Sequence, residues 1–181
     1  MESLPSGIQY RHWPVDDAKA CIVLAHGLAE HTGRYEHVTA RFNERGVAVV
    51  GPDHMGHGAS PGARVYLKSF SEYLEPMQAL RARIDEWYPG RPVFLMGHSM
   101  GGLISAHLLL ESQAAFQGAM LSGPAFHAVD PAPAPLLWIG RVLKNILPKL
   151  GMVSLDANGV SRDPAVVADY LADPLVYNGK I

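Results

Sequence analysis

The sequence predicts an α/β fold in which a parallel sheet carries helices on both faces, and three observations carry that expectation. Short apolar runs alternate with segments of helical periodicity through the first 125 residues. The central runs are apolar at every position, as in strands buried on both faces. At 181 residues the chain fits one such core and has little room for a second.

Residues 7–13 alternate Ile8, Tyr10 and His12 with polar neighbours and end at Pro14, which reads as a strand. Residues 21–25 form the first continuous apolar run. A helix follows at about residues 35–45, with Val38 and Phe42 on one stripe and Gly46 at the position of a C-terminal glycine. Residues 47–50 are strand-like again. Over residues 69–88 the positions Leu74, Met77, Leu80, Ile84 and Trp87 step by three and four, the pattern of a helix with one buried face, and Pro76 is a point where it would kink. Residues 93–96 are a third apolar run, followed by a glycine-flanked turn and a helix to about Ser112. Residues 119–121 are a fourth, closed by Gly123 and Pro124. After Phe126 a Pro/Ala stretch leads into a helical pattern over residues 136–150. Leu136, Ile139, Leu143, Ile146 and Leu150 make one face, which Leu137, Trp138 and Val142 widen beyond a single core contact. The chain therefore divides into a core at residues 1–126 and an appended cap at residues 127–181.

Composition removes several function classes. With 48% hydrophobic and 18% charged residues the chain is neither disordered nor membrane-spanning in pattern. A net charge of −2 lacks the basic surplus of a nucleic-acid binder. The single cysteine, Cys21, excludes an internal disulfide and a cysteine metal cluster. No basic-then-apolar leader occupies residues 1–7, so a cytoplasmic location is expected, with Arg141, Lys144 and Lys149 offering peripheral contact with an anionic lipid surface.

The chemistry is concentrated in residues 93–103, VFLMGHSMGGL, where Gly97, Ser99 and Gly101 form Gly-x-Ser-x-Gly between a buried strand and a helix. The bare pattern would arise in about one chain in ten of this length; its placement makes it specific. At a sharp strand-to-helix turn a serine takes a strained backbone, and glycines two before and two after avoid clashes. Ser99 is thereby the candidate nucleophile. The helix N-terminus then faces the charge that develops during attack, with the Met100 N–H as donor. His54 and His57 have no third metal ligand nearby, and residues 56–62 lack the Gly-Lys-Ser/Thr of a phosphate loop. No metal or cofactor is expected.

The runs HGLAEHTGRY (residues 26–35), DHMGHG (53–58), FLMGHSMGG (94–102) and DPLVYNG (173–179), in that order, resemble the monoacylglycerol lipase family of α/β-hydrolases. The resemblance implies Ser99 as nucleophile, the N–H groups of Leu28 and Met100 as oxyanion hole, and an acyl channel lined by Leu28, Phe126, Ile139 and Leu143. It also implies that Glu30, His31 and Arg34 belong to a supporting hydrogen-bond network. His98, immediately before the nucleophile, is expected to pack beside the turn rather than to act as acid or base.

In this family the triad runs Ser, then acid, then His. After Ser99 the histidines are His107 and His127, and the only acid before His127 is Glu111, about 18 Å along the same helix. His107 lies about 12 Å along that helix. Neither partner is present in the required order, so the acid and the base are expected downstream of residue 181, on a C-terminal polypeptide of the same protein. Two readings stay open at this stage: a serine hydrolase of monoacylglycerols, with lysophospholipase or general carboxylesterase as the neighbouring specificity, and an inactive fragment or acyl-binding module.

Overall fold

A computed structural model describes residues 1–127 and 156–180. Six strands, β1 (Glu2–Ser3), β2 (Gln9–Trp13), β3 (Ala20–Ala25), β4 (Val47–Pro52), β5 (Val93–His98) and β6 (Gly118–Ser122), make one sheet in the order β1-β2-β4-β3-β5-β6. The pairings β4–β3, β3–β5 and β5–β6 are parallel. The expectation of a parallel sheet therefore holds for the core, while β1 and β2 pair antiparallel and make the whole sheet mixed. For β1 and β2 the short connection explains the antiparallel pairing, since the turn between them, closed by Gly7 N–H to Leu4 O at 2.8 Å, is too short for a parallel crossover; β2 also pairs antiparallel with β4.

Helices α1 (Glu36–Asn43), α2 (Ser71–Trp87) and α3 (Met100–Ser112) supply those crossovers. The alternation within β3 shows why its run is wholly apolar. Cys21, Val23 and Ala25 join a core with Met77, Leu80 and Ile84 of α2 and Ile104 and Leu108 of α3. Ile22 and Leu24 face a second cluster with Tyr35, Val49 and Phe42 of α1. Each fully buried Val, Leu, Ile or Met among them contributes about 1.5–3 kcal/mol. Pro76 lies inside α2, buried, and the helix runs on past it to Trp87. Cys21 is buried and free, its thiol pushed up to about 11 by burial.

Two compact units divide the chain, Met1–Ala125 with Leu175–Tyr177, and Phe126–Pro174 with Asn178–Ile181. In the second, α4 (Pro164–Ala172) starts on Asp163, whose carboxylate accepts from the Ala165 N–H at 2.9 Å, with Pro164 in its first turn. The helical pattern read at residues 136–150, with Ile139 and Leu143, lies outside the described residues. No helix among the described residues is long and apolar enough to cross a membrane.

Candidate active site

The strand order places the site. After β3 the chain goes to β4 on one side and returns to β5 on the other, so the sheet reverses direction at β3, and a crevice is expected where the C-terminal ends of β3 and β5 diverge. The loop carrying His26, Gly27 and Leu28 leaves β3 there; Ser99 leaves β5 beside it.

Ser99 has φ 52° and ψ −116°, backbone that costs an L-residue about 1–3 kcal/mol. Its neighbours hold it there. The Ser99 N–H donates to Ser122 O at 2.9 Å, continuing the β5–β6 ladder, and its carbonyl accepts from the N–H groups of Gly102 (2.9 Å), Leu103 (3.2 Å) and Ala125 (3.0 Å). The flanking glycines are steric requirements: a Cβ on Gly97 would collide with the Gly101 carbonyl and the Ser105 hydroxyl, and one on Gly101 with the carbonyls of Ala25 and His26. The first turn of α3 is thus seated on the end of β3. Met100 opens that helix, and the N–H of a first helical residue has no partner within the helix.

The loop after β3 is fastened residue by residue. Gly27 N–H donates to Glu30 Oε1 at 2.7 Å, and the same oxygen accepts from the Tyr35 hydroxyl at 2.6 Å, while Arg34 Nε lies 3.3 Å from Glu30 Oε2. Burial, with Glu30 beside it, pushes the Tyr35 phenol far up. The Ala29 carbonyl accepts from Tyr177 N–H at 2.8 Å, and Ala29 itself sits at φ 65°. His31 Nδ1 accepts from Gly33 N–H at 3.2 Å. His98 is exposed, reaches the Ser122 carbonyl and hydroxyl at 3.0 and 3.2 Å, and stands close to Gly27.

Asp53 ties this loop to the one after β4, a role the sequence reading did not assign. Fully buried, its Oδ1 accepts from the Thr32 hydroxyl (2.5 Å) and N–H (3.0 Å) and from Arg11 (3.3 Å), and its Oδ2 accepts from Ala59 N–H (3.0 Å). Gly58, at φ 51°, brings its backbone against that carboxylate, where a side chain would not fit. The DHMGHG run was the available signal. Beneath the loops the rings of His26, His54 and His57 gather, with centroids 4.3, 5.4 and 6.5 Å apart, against Tyr73. Burial is the first cause that holds all three below the usual histidine range, His26 down to about 3. Among the described residues no group of three or more side chains is arranged to hold a metal ion.

Of the residues singled out from sequence, Leu28, Ser99 and Met100 follow the C-terminal ends of the neighbouring strands β3 and β5. Phe126 belongs to the second unit and is 59% exposed. His107 is exposed on α3 with its ring against Phe70, and Glu111 meets Gln78 on the surface.

Comparison with known proteins bears on the family and the fold. The family described as Serine aminopeptidase, S33 matches residues 16–181. The chain is 42% identical over 175 residues to a monoacylglycerol lipase of Mycolicibacterium smegmatis, covering 96% of this chain and 62% of that protein. It is 35% identical over 169 residues to the monoglyceride lipase of Homo sapiens, covering 92% and 55%. It therefore spans about 55–62% of the length of these relatives. The crystal structure of the Paleococcus ferrophilus monoacylglycerol lipase superposes with a TM-score of 0.81 at 31% identity, over 94% of this chain and 64% of that one. With the mixed sheet, the strained serine between β5 and α3 and this match, the chain belongs to the S33 serine aminopeptidase family and, within it, resembles the monoacylglycerol lipases, which are α/β-hydrolases.

Proposed function

We propose that this chain carries the nucleophile and oxyanion hole of a serine esterase that hydrolyses monoacylglycerols to fatty acid and glycerol. The observation that carries the reading is the strained Ser99, held at the sheet's reversal point by three N–H donors on its carbonyl. The relatives' names add the substrate class.

In the proposed reaction Ser99 Oγ attacks the ester carbonyl carbon while a histidine base takes its proton. The carbonyl oxygen becomes an oxyanion, which accepts from the N–H groups of Leu28 and Met100. Collapse expels glycerol, which takes the proton back from the base, and leaves an acyl-serine. Water, deprotonated by the same base, attacks that ester; Ser99 leaves reprotonated and the fatty acid is released. The acid and base are assigned to the C-terminal part of the same protein, within the length by which the relatives exceed this chain. That part also fits the outer edge of β6, which among the described residues pairs with β5 alone and leaves Met120 and Leu121 39% and 36% exposed. Residues 1–126 serve as hydrolase core in this proposal. Residues 127–181 serve as a cap that touches the lipid surface, and Leu28, Phe126, Ile139 and Leu143 are the residues assigned to acyl binding. A lysophospholipase or general carboxylesterase would share the chemistry and differ in those lining residues.

The test is Ser99→Ala in the full-length protein. Ester turnover should fall by several orders of magnitude, and covalent labelling by a fluorophosphonate should stop. Unchanged labelling would remove Ser99 from the reaction.

A further inference from the structure

The His26 ring makes two hydrogen bonds, and together they leave it a single protonation state. The backbone N–H of His54 points at Nε2 over 2.9 Å and can only donate, so Nε2 carries a lone pair. In the neutral ring the proton then sits on Nδ1, which lies 2.7 Å from the carbonyl oxygen of Gly27 and donates to it. A charged ring would set two N–H donors against each other at Nε2. Complete burial likewise favours the neutral form.

The acceptor makes this bond consequential. The Gly27 carbonyl and the Leu28 N–H belong to one planar trans peptide and point in opposite directions. Holding the carbonyl on His26 turns the Leu28 N–H to the other side of the loop, away from the imidazole. Glycine would otherwise leave this peptide free to rotate, since it tolerates more backbone conformations than any other residue. Gly27 N–H is itself held by Glu30, so the residue is fixed on both sides.

We propose that His26 is a positioning residue for the reaction: its Nδ1–H anchors the Gly27 carbonyl, and this keeps the Leu28 N–H aimed at the oxyanion. The inference rests on the esterase reading above, because it takes Leu28 as an oxyanion donor. It adds that a buried imidazole, held as one tautomer by the loop after β4, sets whether that donor is presented.

Two variants of the full-length protein separate positioning from mere packing. In His26→Asn the side-chain amide nitrogen occupies the place of Nδ1 and can still donate to Gly27, whereas the acceptor for His54 is lost. In His26→Gln the amide oxygen can replace Nε2 toward His54, whereas the donor to Gly27 is lost. Both disturb the core, and both should lower the thermal midpoint. On a short soluble ester, His26→Gln should lose about 30- to 100-fold in kcat, somewhat less than deletion of an oxyanion donor, with KM within about twofold. His26→Asn should keep kcat within about fivefold. Equal losses in the two variants, a larger loss in His26→Asn, or a loss confined to KM would overturn the proposal.

A second measurement separates this proposal from the esterase reading. Nitrogen-15 spectra of the imidazoles in the wild-type protein should show Nδ1 protonated and Nε2 bare at His26. A proton on Nε2 would overturn the anchoring role whatever the turnover. Wild-type protein that shows this tautomer and is neither labelled at Ser99 nor active on esters would count against the esterase reading alone.

Discussion

Asp53 shows how much one side chain can hold at the residue scale. Burial raises its carboxyl pKa, but the hydrogen bonds from the Thr32 hydroxyl, the Ala59 N–H and the Thr32 N–H outweigh this and leave it below the usual carboxylate range. A depressed carboxylate adds stability that is fully present above the unfolded value of about 3.9 and is lost as pH falls through the folded value. Asp53→Asn replaces an acceptor by a group that presents two N–H donors to neighbours that are themselves donors. We expect it to lower stability by about 2–4 kcal/mol near neutral pH, read from urea midpoints. A change below about 0.5 kcal/mol would show that the two loops are joined by other means.

The decisive element is the junction of β5 with α3. A glycine-to-alanine change inside a helix normally stabilises it by about 0.5–1 kcal/mol, so the sign at Gly101 measures the packing. Its Cβ would run into the carbonyls of Ala25 and His26, which belong to rigid backbone. Gly101→Ala should therefore destabilise by about 1–3 kcal/mol, the usual cost of overpacking, and should lower ester turnover; a more stable, fully active variant would refute the close approach of α3 to β3. This junction was legible in the sequence because glycine spacing and an apolar run report backbone demands directly. The period-3.6 stripe of α2 was legible for the same reason, since Leu74, Met77, Leu80 and Ile84 all bury. The strand β1 was not, because two exposed residues, Glu2 and Ser3, carry no alternation to read. Nor was the work of Asp53 and His26, whose partners stand 21 and 28 residues away along the chain. Long-range polar pairing leaves no local period.

Across the whole molecule, three buried histidines make acid the weak side of its stability. His26, His54 and His57 are held neutral, first by burial, whereas in the unfolded chain each protonates near about pH 6.5. Their folded values are depressed, so the fold is at full strength above that pH and weakens as pH drops toward the folded values. Each contributes a slope of up to about 1.4 kcal/mol per pH unit. Urea midpoints should fall steeply below about pH 6. Both ring nitrogens of His54 lack a hydrogen-bond partner among the described residues, so His54→Phe should flatten that fall without loss at pH 8. An unchanged acid slope in this variant would rule out His54 as a contributor. The sheet order also has a consequence for biosynthesis. The central strand β3 leaves the ribosome ahead of both its neighbours, and one of them, β5, begins only at Val93. At about 5–20 residues per second, one flank of this wholly apolar strand waits several seconds for its partner, an interval in which a nascent-chain chaperone has something to hold.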